Sequence, residues 1–434
     1  MIKIECLICL PVFLFRRVQH LTFVIVLITH LLHYLNNKRF MKQRTKKAIF
    51  CFSLALASVF SVYSQSGPLQ KCKQVAKKVN HLIVCDKSLL KETIAIPLSA
   101  LTEELQILKL DDSDAALVKE EATEISDNYI LIKGSGGIPY KLFDRKTGKF
   151  LTNIGSHGQG PNEYLNVYDQ QLDEPGNRIY LLPWQSNKIL VYDLKGNALN
   201  PIPLCNNAPK GKFKVDTKAQ TAIVSVLPFT DAPAVVWQQT TDGNLLQSIA
   251  PGHIALRPDF SNEVGAYKSG AYFDFFIFSF EPRTDTLYRY DWPANKLLPL
   301  FTLDFKGQKM SIHGCNEISG YFLGELAEPK QLNEYLTTTQ NQRFYIVDKK
   351  TLKGSYFILE NDFLGNMEVA WPSYAFNNDY YVRNVDPGNL YDELEKILSS
   401  GKKLSPEMRT KLTKLKDSIS DNDNNYIVYA KLKN

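Results

Sequence analysis

The residues whose chemistry could support catalysis are scattered along the chain instead of being grouped in a motif. Histidines occur at His81, His253 and His313, and neither an HExxH nor an HxH pattern surrounds them. The chain has no GxSxG sequence to carry a nucleophilic serine. After residue 64, no CxxC pair or Cys/His cluster has the spacing of zinc ligands. The catalytic residues are therefore unknown at this stage, and no residue is assigned to a metal.

A glycine-rich segment, residues 155–160 (GSHGQG), has the composition of a phosphate-binding loop. Such a loop needs Gly-Lys-Ser/Thr and a following helix, and the sequence shows neither. We interpret the segment as a sharp passage between two strands. The predicted structural motif comprises Gly158, Gly160, Pro161, Glu163 and Tyr164. His157 is a speculative binding residue, although a plain surface position is the more ordinary role for a lone histidine.

Two tryptophans are further speculative binding residues. Trp184 lies between Pro183 and Gln185, and Trp371 precedes Pro372, so both are expected in loops. Exposed aromatic faces can stack on sugars or anchor peptides. The alternative for each tryptophan is packing between neighbouring structural units.

One pattern recurs along the chain: an apolar strand, a polar residue that is often Asp, a turn with Gly or Asn, and a second short strand. It is clearest in YKLFDRKTGKFLTNI from Tyr140 and ILVYDLKGNALNPIPL from Ile189, with weaker copies from Val235, Leu287 and Phe344. The turn positions lie 48, 47, 52 and 59 residues apart and are Gly148, Gly196, Gly243, Asn295 and Gly354. A period near 50 residues indicates four-stranded propeller blades, whereas a β-sandwich would not give so regular a spacing.

Five copies define five blades, and DYYVRNV from Asp379 begins a sixth. The predicted fold class is all-β, a six-bladed β-propeller. Residues 388–418 predict two short helices inserted in the last blade, with a helix start at Ser405-Pro406-Glu407. The chain ends in a strand, NNYIVYAKLK, and we expect residues 105–110 to pair with it and close the ring.

A family resemblance rests on FDRKTGKFLTNIGSHGQGPNEY (143–164) followed by RIYLLPWQSNKILVYDLKGN (178–197). These segments resemble the NHL-type propeller repeat, in which a strand-turn-strand leads into a Gly-x-Gly-Pro-x-Glu loop. Residues 93–434 are similar to secreted six-bladed propeller proteins of gut-type Gram-negative bacteria. The resemblance implies the fold and export, and it implies no specific activity.

The positive charge of the chain is concentrated at its beginning. The formal net charge is +6, but nine of the 51 basic residues and one of the 45 acidic residues lie in 1–64. The remaining 42 basic and 44 acidic residues leave the body near neutral. This balance gives no electrostatic case for a nucleic-acid partner.

The same segment predicts a leader. Residues 41–64 combine a basic start, an apolar run and small residues, which is typical of a signal peptide cleaved after Ser64. Residues 1–40 contain another apolar run, 21–35, and we expect a misplaced start with Met41 as the initiator. The alternative is an uncleaved membrane anchor. Residues 65–92 are predicted to be a linker, and 93–434 the propeller.

Four cysteines follow the predicted leader: Cys72, Cys85, Cys205 and Cys315. In an exported protein they can oxidise, and Cys72 with Cys85 is the only local pair. Buried or unpaired thiols are the alternative. The sequence therefore leaves the disulfide state open.

These observations favour a scaffold in the periplasm or on the cell surface that binds a protein or carbohydrate partner. No cofactor is evident, although a divalent metal is possible because blades can contribute ligands jointly to a site on the axis. The alternative is a metal-dependent lyase or lactonase of the propeller type. A third hypothesis, an anchored sensor, requires residues 1–40 to be translated.

Overall fold

The structure is a computed structural model that describes residues 67–433 except 269–271, 282, 284 and 333–336. The predicted start at Met41, the signal peptide and the cleavage after Ser64 lie outside the described residues. The described chain forms a six-bladed β-propeller, as the repeat predicts. No disulfide joins the described cysteines: Cys72, Cys85, Cys205 and Cys315 are all free thiols.

The four strands nearest the start of the described chain add to blades formed by later segments. A hairpin of two strands extends the outer edge of blade four, where the second strand pairs in parallel with the last strand of that blade. The third strand extends blade five in the same way. The fourth completes blade six. These strands are β1 (Ala76–Val79), β2 (Leu82–Asp86), β3 (Thr93–Pro97) and β4 (Gln106–Lys109).

This arrangement differs from the linker predicted for residues 65–92. The physical reason is that the outer strand of a blade has an unpaired edge, and a hairpin covers the backbone groups of that edge. The pairing of Ile83 with Phe301 joins positions more than 200 residues apart, so no local pattern in the sequence shows it.

The first three blades follow in chain order, each a four-stranded antiparallel sheet. Blade one comprises β5 (Thr123–Ile125), β6 (Tyr129–Ile132), β7 (Tyr140–Asp144) and β8 (Phe150–Ile154). Two short strands that pair in parallel follow it, β9 (Ser156–His157) and β10 (Glu163–Tyr164). Blade two comprises β11 (Val167–Asp173), β12 (Arg178–Pro183), β13 (Lys188–Tyr192) and β14 (Ala198–Pro203). Blade three comprises β15 (Lys212–Asp216), β16 (Thr221–Ser225), β17 (Val236–Thr240) and β18 (Leu245–Ile249).

The last three blades carry the additions. Blade four has β19 (Glu263–Tyr267), β20 (Asp274–Phe278), β21 (Thr286–Asp291) and β22 (Lys296–Asp304). Blade five has β23 (Ile312–Ile318), β24 (Tyr321–Gln331), β25 (Thr337–Asp348), β26 (Gly354–Asn361) and β27 (Met367–Glu368). Blade six has β28 (Phe376–Asn377), β29 (Tyr380–Val385), β30 (Tyr426–Lys431) and β4. Single 3-10 turns occur at Lys87–Leu89, Leu98–Ala100, Asp114–Ala116, Gly252–Ile254 and Asp362–Leu364.

The ring closes as the sequence predicts. Strand β30 pairs antiparallel with β4, and Val428 lies opposite Ile107. Two helices lie between β29 and β30, α1 (Pro387–Ser399) and α2 (Pro406–Asp417). The Ser405 hydroxyl accepts a hydrogen bond from the Met408 amide (3.1 Å), which caps α2 at the predicted start. The apolar faces of both helices pack on the core between blades five and six.

The Asp of the repeated phrase has a structural role in the hairpins. The carboxylate of Asp144 accepts hydrogen bonds from the amides of Lys146 (3.1 Å) and Thr147 (2.8 Å). Asp193 and Asp348 accept equivalent bonds in their own turns. Each Asp therefore satisfies backbone donors that the turn leaves unpaired.

Positive φ angles occur in the turns at Gly148, Gly196, Gly243 and Asn295, as the phrase predicts. Blade five differs, because there the left-handed residue is Leu352 (φ 58°) and Gly354 opens β26. A Cβ at Gly354 would lie 2.6 Å from the carbonyl oxygen of Ile346. Gly354 is therefore required because the backbone of Ile346 lies close to it, and not because the turn needs a positive φ angle at this position.

The hydrophobic core is divided into six clusters, and each spans two neighbouring blades. Trp237 of blade three, for example, is fully buried together with Leu182 of blade two. Strand β7 is buried on both faces, since a blade has a neighbour on each side. The alternation of apolar and polar residues that is typical of a half-buried strand is therefore weak around Phe143.

Candidate binding site on the propeller axis

A cavity of about 900 Å³ lies on the axis of the ring. Its lining includes residues from the innermost strand of every blade, namely Thr123, Asp169, Lys212, Glu263, Gly314 and Phe376. In blades one to five the first strands lie innermost, since each contacts the first strand of a neighbouring blade. The volume is within the range of small-molecule sites, roughly 300–1,000 Å³. We call this cavity the wide chamber.

Aromatic side chains form much of the wall of the wide chamber. Blade four contributes Tyr267, Phe276, Phe278 and Phe280, and the segment entering blade six contributes Trp371, Tyr374 and Phe376. Trp371 is 48% exposed and Tyr374 is 69% exposed, so both rings are accessible. The Trp371 ring packs edge-on against Phe344 (centroids 6.2 Å apart). The wall thus combines a supported indole with an exposed phenol.

A buried carboxyl group lies among these aromatic residues. Glu325 of β24 accepts a hydrogen bond from the Ser373 hydroxyl (3.2 Å) and interacts with the Tyr374 hydroxyl. Burial raises the pKa of Glu325 above its ordinary value, and these hydrogen bonds lower it in part. The group can therefore serve as an acceptor when ionised and as a donor when protonated.

Asn316 of β23 presents a second polar group to the wide chamber. Its amide nitrogen donates to the Ser373 carbonyl (2.9 Å). Its Oδ1 is buried and has no hydrogen-bond partner within the described chain. A buried acceptor without a partner is uncommon, and a bound ligand would satisfy it.

A smaller cavity of about 270 Å³ adjoins the wide chamber and shares Asp169, Lys212 and Asn377 with it. We call it the narrow chamber. Its charged lining groups are Glu124, Lys133, Asp169, Lys212 and Lys268, and its amide side chains are Gln170, Asn377 and Asn378. Lys268 forms an ion pair with Asp169 (2.6 Å), in which both side chains are 12% exposed. The amide of Phe213 also donates to Asp169 (2.8 Å).

Burial perturbs two further titratable groups of the narrow chamber, Glu124 and Lys212. Burial raises the pKa of Glu124 to about 7, while Lys268 and the Leu172 amide (2.8 Å) oppose the shift. Burial lowers the pKa of Lys212, whose ammonium group donates to the Tyr168 carbonyl (2.9 Å). Burial in the narrow chamber therefore disfavours the charged forms of both Glu124 and Lys212.

The three speculative binding residues lie in different places. Trp371 lines the wide chamber. Trp184 is half-buried against Tyr168 (centroids 4.9 Å apart) and Phe260 (5.8 Å), and it lines neither chamber. His157 is exposed on β9, in a loop that lines neither chamber. The structure thus brings one of the three to the axial site.

The glycine-rich motif connects blades one and two. The Glu163 carboxylate accepts hydrogen bonds from the Gly160 amide (2.8 Å) and the Ser156 hydroxyl (3.1 Å). These bonds lower the pKa of Glu163. A Cβ at Gly158 would lie 2.0 Å from Glu163 Oε2, so a side chain at position 158 would displace the carboxylate.

Tyr164 and the Pro161 carbonyl complete the connection. The buried Tyr164 hydroxyl donates to the Ile154 carbonyl (2.5 Å) and accepts from the Tyr140 amide (2.9 Å). From blade two, the Lys188 ammonium group donates to the Pro161 carbonyl (2.7 Å). The motif residues therefore hold the passage between the two blades.

No motif in the sequence identifies Glu325, Asn316, Lys212 or Gln170. A signal exists at Lys212, because KFKVD places two lysines at alternating positions of an innermost strand. Such charges next to an apolar core favour a position facing the axis. Among the described residues, no group of three or more His, Cys, Asp or Glu side chains could hold a metal ion.

The blades and the axial cavity define a six-bladed β-propeller with a central ligand-sized chamber. The chain belongs to the family described as Domain of unknown function (DUF4934), which matches residues 82–431. A comparison with curated proteins finds no match. The likeness to the NHL-type repeat stays a prediction. No helix in the described part of the chain is long and apolar enough to span a membrane.

Solved structures are similar to the chain to different degrees. A protein of Bacteroides fragilis NCTC 9343, described as exported, has 17% identity and a TM-score of 0.54, covering 81% of this chain and 100% of its own. A DUF4221 family member from Bacteroides vulgatus ATCC 8482 has 11% identity and a TM-score of 0.43, covering 77% and 97%. The periplasmic gluconolactonase of Pseudomonas aeruginosa has 12% identity and a TM-score of 0.34, covering 56% and 69%. At 17% identity, the likeness to the Bacteroides fragilis protein concerns the fold alone.

Proposed function

We propose that the protein is an exported propeller that binds a carbohydrate in the wide chamber. The observation that carries this proposal is the accessible pair Trp371 and Tyr374 beside the buried polar groups of Glu325 and Asn316. A sugar ring presents C–H groups on its face, which suit an aromatic surface, and hydroxyl groups at its edge. Those hydroxyls can donate to Asn316 Oδ1 and exchange hydrogen bonds with Glu325.

A carbohydrate fits the chamber better than a protein partner does. The polar groups lie inside a cavity of about 900 Å³, whereas standard protein interfaces use broad surfaces of roughly 800 Å² per partner. A protein partner that inserts a side chain into the chamber is the alternative. The proposed site is therefore concave and of ligand size.

Export to the periplasm or cell surface is part of the proposal. It is supported by the basic and then apolar pattern of residues 41–64. The Bacteroides fragilis protein of the same fold is described as exported. Cell fractionation with mass spectrometry of the native N-terminus tests this part, and a cytoplasmic protein with an intact leader would contradict it.

Binding is tested with an array of bacterial and plant glycans. The wild type is compared with Trp371→Ala, and Tyr391→Ala is the matched control because Tyr391 is an exposed aromatic residue of α1 outside both chambers. We expect glycans that bind the wild type and the control to lose binding to Trp371→Ala. Equal binding to all three proteins, or binding to none, would overturn the proposal.

A catalytic role is the second candidate, and the raised pKa of the buried Glu325 favours it. A carboxyl group whose pKa is raised by burial keeps its proton to a higher pH, which favours a role as a general acid. The metal-dependent lyase or lactonase hypothesis adds a divalent ion, and that part stays a prediction. Elemental analysis of purified protein, together with product analysis of any glycan that binds, distinguishes binding from turnover.

A further inference from the structure

Three lysines from three blades converge on the narrow chamber. Lys133 follows β6 of blade one, Lys212 lies on β15 of blade three, and Lys268 follows β19 of blade four. Positions so far apart in sequence share a chamber only because the ring brings the innermost strands together. Like charges in a confined space repel one another unless a counter-charge is present.

The protein neutralises one of the three lysines. Lys268 is paired with Asp169 and also donates to the Gln170 carbonyl (2.8 Å). The Lys268 ammonium group and the Phe213 amide both donate to Oδ2 of Asp169. Asp169 therefore serves chiefly as the counter-ion of Lys268.

The other two lysines lack an ionic partner in the described chain. Lys212 donates to a neutral carbonyl, that of Tyr168. The Lys133 ammonium group has no hydrogen bond or ion pair with any described residue. The remaining acid of the narrow chamber, Glu124, is buried, and its carboxylate is occupied by the Leu172 amide. The chamber consequently carries an excess of positive charge.

A neutral donor provides an independent indication of a ligand. Gln170 is 7% exposed and lines the narrow chamber, and its Nε2 has no acceptor within the described residues. A buried N–H group without an acceptor is energetically unfavourable. A ligand that brings acceptor oxygens would satisfy this group, and a negative charge would satisfy the lysines.

We propose that the narrow chamber binds an anionic group, a carboxylate or a sulfate, with Lys133, Lys212 and Gln170 as its ligands. This deepens the proposed function and rests on it, because the remainder of the ligand would lie in the adjoining wide chamber. The ligand class is then an acidic carbohydrate. Charge-assisted hydrogen bonds are the stronger kind, so the anionic group is expected to dominate affinity.

The test uses three probes, galacturonate, galactose and inorganic sulfate, in buffers matched for ionic strength with chloride. Calorimetry gives the affinities for the wild type, Lys133→Gln, Lys212→Gln and the control Lys218→Gln. Lys218 is an exposed lysine of the β15–β16 turn, so the control removes a charge from the same blade but away from the axis. Circular dichroism shows whether each variant folds. If Lys212→Gln does not fold, the Lys133→Gln variant alone decides the test.

We expect galacturonate or sulfate to bind the wild type and the control at least tenfold more tightly than galactose binds. Both chamber variants should lose roughly tenfold or more of that affinity. Binding of sulfate without galacturonate supports an oxyanion site and contradicts a carboxylate ligand. If neither anion binds better than galactose, the anion site is overturned, while glycan binding that depends on Trp371 would leave the proposed function intact.

Discussion

The hydroxyl of Ser373 lies 3.2 Å from Glu325 Oε2, and this hydrogen bond joins blade six to blade five at the wall of the wide chamber. The carbonyl of the same serine accepts from the Asn316 side chain (2.9 Å). One residue thereby orients both polar groups of the proposed carbohydrate site. Ser373 also precedes Tyr374, so Glu325 and Asn316 lie next to the aromatic wall of the wide chamber.

Glu124 should make stability depend on pH. The pKa of this group is about 7 in the folded protein and 4.5 ordinarily, so the folded state holds more protons between these values. Stability therefore falls as the pH rises from 4.5 through 7. We expect Glu124→Gln to remove this part of the fall and to be more stable than the wild type at pH 8, by on the order of 3 kcal/mol.

Urea denaturation at pH 5 and pH 8 measures the effect. Glu104→Gln is the control, because Glu104 is exposed and near no chamber. The control should reproduce the pH dependence of the wild type. If the stability of Glu124→Gln depended on pH as that of the wild type does, Glu124 would already be ionised in the folded protein.

Trp184 should contribute to stability and not to binding. Its ring packs against Tyr168 and Phe260 and lines neither chamber. We expect Trp184→Ala to lower the free energy of unfolding by roughly 2 kcal/mol through lost packing. Chemical denaturation and the glycan array together measure the two effects, and a stable variant that loses glycan binding would restore Trp184 as a binding residue.

The glycine-rich motif should show coupling between two of its residues. Gly158→Ala places a methyl group where the Glu163 carboxylate lies, so we expect a loss of about 1–3 kcal/mol. In a Glu163→Ala background the same substitution should cost much less, because the obstructing carboxylate is gone. Asn162→Ala, an exposed change in the same loop, is the control. Additive effects in the double variant would contradict the assigned contact.

The thiols should differ in reactivity. Cys85 and Cys315 are buried, and burial raises the pKa of both, whereas Cys72 and Cys205 are half-buried. We expect maleimide to label Cys72 and Cys205 in the native protein and the other two only after unfolding. Peptide mass spectrometry of the labelled protein reads out each site. A peptide containing a Cys72–Cys85 disulfide would contradict the free-thiol state.

Much of the fold could be predicted because its signals are local. The hairpin phrase places Asp144 and Gly148 four residues apart, and their turn chemistry is visible in any single copy. The two helices carry their own start signal at Ser405-Pro406. The pairing of β4 with β30 could be predicted because the last blade otherwise lacked an outer strand.

The site could not be predicted in the same way, because its residues come from separate blades. Lys133 and Lys268 lie 135 positions apart, and only the ring brings them to one chamber. The addition of β2 to blade four also could not be predicted, because the parallel pairing of Ile83 with Phe301 leaves no local pattern in the sequence. Trp371 was identified because an aromatic residue next to proline indicates a loop, but the same criterion also selected Trp184.

The proposed function requires the wide chamber to hold a carbohydrate against Trp371. The most direct measurement is the position of the tightest-binding array glycan in a crystal structure of its complex with the protein. We predict a sugar ring in contact with the Trp371 indole and a hydroxyl within hydrogen-bond distance of Asn316 Oδ1. A glycan bound outside the chamber, with the Trp371 and Asn316 groups untouched, would contradict the account.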